Sequence, residues 1–389
     1  MLQRVGETVD PKDAVVKIKD ASFPAPFASE LEYNSPVHGN WNIVHTGMQV
    51  PEAIQIYVCA DNCMRGVVLT AAEMNAADRF SFVIVEEQHV LNGNLEDITI
   101  EGVTDVLNKR GDHPKAVLLF TVCLHHFVGS NLNYIYDELE RRFPDICFIR
   151  CYMDPIMQKH GLTPDQKLRK AMYDPLPECE PDAKTVSVFG SDFALDESSD
   201  IKRLLRRYGY TVRELPTCET WQDLLDMSKG RLFLDIYPAG KYGMETQARR
   251  LAREHLYLPG SFDYEEIEQQ LKQLTDALGL PEVSREALDV ERSACEEVLA
   301  KAKALIKDMP ITLDYLYHPR PLGLAKLLLT HGFNVKAVYL DGISPEEKAA
   351  FDWLQEHVPE LELIATIQVK MRVLPRGGEQ EVLAIGQKA

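Results

Sequence analysis

The chain has 389 residues, of which 45% are hydrophobic and 26% charged, an ordinary balance for a globular protein long enough for two or three domains. Its net charge of −18 argues against a nucleic-acid partner, because phosphate backbones repel an acidic surface. No apolar run approaches the ~18 residues a membrane helix needs, and MLQRVGETVDPKDAVVKIKD lacks the apolar core of a signal peptide, so the expected location is the cytoplasm.

Residues 1–35 read as an irregular lead-in punctuated by Pro24 and Pro26. Short apolar runs and amphipathic stretches then alternate. IQIYVCA (54–60) reads as a strand, MRGVVLTAAEMNAAD (64–78) as a helix and FSFVIVEE (80–87) as a strand. LEDITIEGVTDVLNKR (95–110) has helical spacing, and AVLLFTVC (116–123) is continuous enough for a strand buried on both faces. NLNYIYDELERRFP (131–144) reads as a helix and ICFIRCY (146–152) as a strand. This alternation predicts a parallel sheet flanked by helices, whose ligands sit outside the carboxyl ends of the strands.

The Pro- and acid-rich DPLPECEPDAK (174–184) reads as a linker. A second α/β unit comes next, with strands at TVSVFG (185–190), VRELP and RLFLDIYP (231–238) and helices at 199–210 and around Trp221. A long helical stretch runs from Tyr264 to about Lys307, interrupted by LGLPEVS (278–284), and reads as a bridge between domains. The third unit has strands at ITLDYLY (311–317) and VKAVYL (335–340), with helices at 320–333 and 344–357. The last residues, EVLAIGQKA (381–389), read as a strand and the first turn of a helix, so this domain is expected to be incomplete. The expected fold is α/β with three domains, each a parallel sheet flanked by helices: 36–178, 179–308 with the bridging helices, and 309–389.

Eight cysteines in a long chain with no CxxC pair suggest neither a disulfide framework nor a zinc site, and most should be inert core. Three nevertheless fall at one sheet edge. Cys59 and Cys123 end predicted strands, and Cys63 falls where the next helix starts. A thiolate at a helix N-terminus is stabilised by free N–H groups, and thiolates brought from separate loops are the ligands of iron–sulfur clusters. On spacing alone, Cys59 and Cys63 are better explained as two buried cysteines. Cys147 and Cys151, at even spacing, point to one face of a strand and read as packing. His125 and His126 could tune a cluster site or simply occupy a loop, and Glu86 and Glu87 read as solvated. No GxxxxGK[ST] occurs, so any ATP use belongs to a partner.

Several of these segments resemble, in order, the catalytic-component subunits of nitrogenase and their relatives. VCADNCMRG resembles the H-G-P-x-G-C turn that carries a cluster cysteine in that family. VEEQHVLNGNLEDI (85–98) looks like its E-x-D-x-x-F-G-G segment. LLFTVCLHHFVGSNL (118–132) is similar to the segment in which a cluster cysteine is followed by I-G-D-D at a helix start. RPLGLAKLLLTHGF resembles the helix opening the family's last domain. The relatives include the nitrogenase α and β subunits, the cofactor scaffold pair, dark-operative protochlorophyllide reductase and nickel-sirohydrochlorin reductive cyclase.

The resemblance implies three α/β domains and an iron–sulfur cluster, expected as [4Fe–4S], at a subunit interface. It implies Cys63 and Cys123 as cluster ligands. A second copy or a paralogous subunit would complete the cluster, and a separate ATP-dependent iron–sulfur reductase would supply electrons for a substrate bound between domains. The family keeps a further ligand cysteine upstream, where SPVHGNWN offers His38 instead, so the third ligand is Cys59, favoured as a thiolate, or His38, or else the cluster differs. The family's cofactor-bearing cysteine at the end of a central-domain strand is matched here by Tyr237, so dinitrogen reduction is not expected. Two alternatives stand beside the oxidoreductase reading. One is a scaffold for metallocofactor assembly, and the other is a metal-chelate or solute-binding α/β protein without a redox role.

Overall fold

The computed structural model describes residues 14–27, 42–153, 161–368, 371, 381–387 and 389. The described chain opens with a short strand, β1 (Val15–Lys17). The first sheet then forms from β2 (Ala53–Cys59), β3 (Phe80–Ile84), β4 (Ala116–Val122) and β5 (Cys147–Met153), all parallel, in the order β3-β2-β4-β5. Its helical segments are α1 (Ile43–Gly47), α2 (Asp61–Glu73), α3 (Glu87–Leu91), α4 (Leu95–Lys109), α5 (Cys123–Phe127), α6 (Leu132–Arg142) and α7 (Pro164–Tyr173).

Every residue of β2 and β4 is buried, as continuous apolar runs in the middle of a covered parallel sheet should be. Tyr57 and Phe120 stack across this pair with ring centroids 4.3 Å apart. The one amide in β2 is satisfied internally: Tyr57 Oη donates to Gln55 Oε1 at 2.7 Å, and Gln55 Nε2 donates to the Val44 carbonyl at 3.0 Å. Gly102 lets α4 lie directly on β3, since a Cβ there would collide with the Val83 side chain.

The central sheet contains β6 (Asp182–Phe189), β7 (Thr211–Glu214), β8 (Gly230–Asp235) and β9 (Glu254–Tyr257), parallel in the order β7-β6-β8-β9. Its helices are α8 (Asp200–Arg207), α9 (Trp221–Asp226) and α10 (Lys241–Arg250). The long helical stretch resolves into α11 (Tyr264–Leu278), stopped by left-handed Gly279, and α12 (Arg285–Ile306). The third sheet has the order β1-β12-β11-β10-β13, built from β10 (Pro310–Asp314), β11 (Asn334–Tyr339), β12 (Glu362–Ile364) and β13 (Leu383–Ile385), with α13 (Pro321–Thr330) and α14 (Lys348–His357) between them.

The fold class is as expected, α/β with three mostly parallel sheets flanked by helices. Two details differ from the sequence reading. The lead-in supplies β1, which runs antiparallel along β12; a three-residue edge strand leaves no readable period. The described residues pack as two units, one within 34–259 and the other within 1–33 and 260–389. The long helices, expected with the central domain, thus group with the third sheet. The reason is visible in their contacts: Arg320 forks onto Glu266 of α11, and Leu299, Ala302 and Ile306 of α12 pack on the third core.

Candidate functional site

Neighbouring parallel strands bring their carboxyl ends to one edge, so the segments leaving β2 and β4 are adjacent in space. Cys63 sits in the first turn of α2, its N–H donating to the Ala60 carbonyl at 2.9 Å, and its side chain is exposed. Cys123 is the first residue of α5 and is partly exposed. Burial raises the Cys63 pKa, and the nearness of Cys123 raises it further, which places the two thiols within electrostatic range. Cys59, the last residue of β2, is 0% exposed and belongs to the core of the sheet. Burial, followed by Cys63 and Asp61, pushes its thiol up to about 12. His38 lies outside the described residues.

The remaining thiols are dispersed. Cys151 is buried in the same core and Cys147 packs against it, its pKa pushed up to about 11 by burial. Cys179 lies 3.1 Å from Ser228 Oγ, Cys218 is pushed up to about 12 by burial, and Cys295 is exposed on α12. Among the described residues, no group of three or more His, Cys, Asp or Glu side chains is arranged to hold a metal ion. A four-ligand cluster would therefore find two accessible thiols on this edge. That fits a cluster shared with another chain.

The histidine pair divides its roles. His126 is exposed, with its ring 5.9 Å from that of Tyr152. His125 is buried; its Nδ1 accepts from the Val122 N–H at 3.2 Å, and its Nε2 lies 3.1 Å from Thr99 Oγ1. Burial drives its pKa down to about 4, so the ring is neutral. The same edge exposes apolar side chains on the segments after β3 and β4: Leu91 is 77% exposed, Phe127 57% and Val128 44%. Glu86 and Glu87, read from sequence as ending a strand, instead begin α3, and both are exposed.

A second constellation escaped the sequence reading. Arg169 on α7 is 1% exposed; its Nε donates to Asp165 at 2.9 Å and its Nη2 to Asp192 at 2.6 Å. Burial opposes this charge, but Asp165 and Asp192 more than offset it, so the guanidinium pKa is raised. Gln49 Nε2 also donates to Asp192, at 2.6 Å. The Tyr237 ring lies 5.4 Å from the guanidinium carbon, and its N–H donates to Asp235 Oδ1 at 3.1 Å. Asp235 ends β8 with no exposure, and burial pushes its pKa up to about 7. Gly190, at φ +96° after β6, packs against this carboxylate where a Cβ would collide with it. Tyr237 is thus packed against a buried ion-pair network. The only forward signal was an Asp and an Arg four apart in PDQKLRKAMY.

Two solved structures are similar across nearly the whole chain. That of nitrogenase Cp1 at pH 6.5 superposes with a TM-score of 0.65 at 13% identity, covering 94% of this chain and 81% of that one. That of nitrogenase Cp1 at pH 5 gives a TM-score of 0.56 at 12% identity, covering 95% and 79%. At such identities the likeness establishes the fold. No curated protein sequence matches the chain. The model of the nitrogenase component 1 type oxidoreductases matches residues 66–376, starting just past Cys63 and including Cys123, and the chain belongs to that family.

Proposed function

We propose that this chain is the catalytic component of a nitrogenase-like reductase and holds one half of an iron–sulfur cluster through Cys63 and Cys123. The observation that carries the reading is the placement of these two accessible thiols on the segments that leave the paired strands β2 and β4 at the carboxyl edge of one parallel sheet. When bound, an iron–sulfur cluster supplies one-electron storage and transfer.

The chain's own residues provide the seat. Cys63 sits in the first turn of α2, where the positive end of the helix dipole favours a thiolate and works against the burial that favours the protonated thiol. Iron requires thiolates, so loading releases the proton that the raised pKa keeps on Cys63 in the metal-free state. Cys59 is better suited to the core than to iron, because ionising a fully buried thiol is costly. The missing ligands come from a second copy or a paralogous subunit, which also buries Leu91, Phe127 and Val128. An ATP-dependent iron–sulfur reductase delivers the electrons, and a substrate bound within the protein receives them. Tyr237, occupied with Arg169 and Asp235, gives no thiolate for a nitrogenase-type cofactor, and dinitrogen is not the proposed substrate.

Anaerobic co-purification with the paralogous subunit, iron and sulfide analysis, and electron paramagnetic resonance after dithionite test this reading. Iron and sulfide in near-equal amounts, with a reduced-cluster signal abolished by Cys63→Ala and by Cys123→Ala, support it. A complex without iron, or unchanged iron in both variants, refutes it.

A further inference from the structure

We infer that His125 is a positioning residue that holds the backbone in front of Cys123 and so sets where that thiol points. The hydrogen bonds fix its proton. Thr99 Oγ1 spends its only proton on the Leu95 carbonyl at 2.7 Å, so at its 3.1 Å contact with His125 Nε2 it must accept. Nε2 therefore carries the hydrogen, and Nδ1 is free to accept from the Val122 N–H at 3.2 Å. Both ring nitrogens are used, which leaves none for a metal.

The bond to Val122 falls where the chain turns from extended β4 into α5, one residue before Cys123. His125 thus ties the backbone that aims Cys123 to the first turns of α4. A parallel tie runs beside it: Glu96, in the first turn of α4, accepts from the Asn131 N–H at 2.8 Å. Thr99 and His125 are both fully enclosed, so water cannot replace either bond. A similar device follows β3, on the other side of β2, with His89 Nδ1 accepting from the Glu86 N–H at 3.1 Å.

This inference rests on the proposed cluster only for its consequence, and its test needs no cluster. Asparagine places its amide oxygen near Nδ1 of the histidine, whereas glutamine places its amide nitrogen near Nε2. His125→Asn therefore retains the tie to Val122, and His125→Gln retains only the tie to Thr99. The metal-free full-length chain is treated with iodoacetamide, and modification of Cys123 and Cys63 is followed separately by mass spectrometry. His125→Gln and His125→Ala should raise the Cys123 rate by about fivefold, the effect of one lost hydrogen bond. His125→Asn should stay near wild type, and Cys63 should be unchanged throughout. If His125→Ala does not fold, the Asn and Gln pair still decides. Equal Cys123 rates in all variants, or a failure of Asn to preserve the wild-type rate, overturns the inference. Iron lost on loading while the metal-free pattern holds would count against the cluster alone.

Discussion

Cys59 and Cys63 are four residues apart, yet one is walled into the core and the other faces solvent. Substitution should separate them. Cys59→Ala should lower unfolding stability by about 1 kcal/mol, as a small core truncation does, and leave iron content intact. Cys63→Ala should change stability by less than ~0.5 kcal/mol and abolish iron. Urea denaturation with parallel iron assays checks both, and the reverse pattern would reassign the ligand. Asp235 gives a second test at this scale. Its folded pKa is raised, so the folded state keeps a proton that the unfolded chain gives up near pH 4. Its stabilising contribution is full below that pH and is lost as pH rises toward 7, by at most about 4 kcal/mol. Asp235→Asn should flatten that part of the stability profile; an unchanged slope from pH 4 to 7 would show that Asp235 ionises freely. The cysteine edge was legible in sequence because apolar runs ended in Cys59 and Cys123. The separation of His125 from His126 was not, because it depends on Thr99, which is contributed by another helix.

Helix α7 shows why some elements were hidden. Thr163 and Gln166 form a reciprocal cap, yet the buried face includes Asp165 and Arg169, and charged residues there break the apolar period. Helix α10 was missed for a similar reason, since its buried residues include Gln247. Strands β2 and β4 were legible because burial on both faces demands unbroken apolar runs. RLFLDIYP looked like a strand to its end, but β8 stops at Asp235, whose carboxylate takes the Tyr237 N–H and turns the chain. Arg169 anchors α7 to the loop carrying Asp192. Arg169→Met should therefore cost about 3–5 kcal/mol in thermal or urea unfolding, because it strands Asp165 in the interior. A loss below ~1 kcal/mol would mean that the pair contributes little beyond packing.

Three sheets were readable across the whole molecule from the alternation of strands and helices, but their strand orders were not. Periodicity reports which face is buried, whereas order depends on long-range pairing such as that of β1 with β12. The grouping of α11 with the third sheet likewise rests on the ion pair between Arg320 and Glu266, distant in sequence, and that of α12 on the packing of Leu299, Ala302 and Ile306. Among the described residues no helix is long and apolar enough to cross a membrane. In the proposed assembly, two thiols of this chain complete a cluster only with a second chain. Native mass spectrometry of the anaerobically purified assembly tests it most directly. The predicted result is a two-chain species carrying iron and sulfide, which loses them on Cys63→Ser or Cys123→Ser. A single chain holding a complete cluster, or a cluster retained when both cysteines are replaced, would contradict the claim.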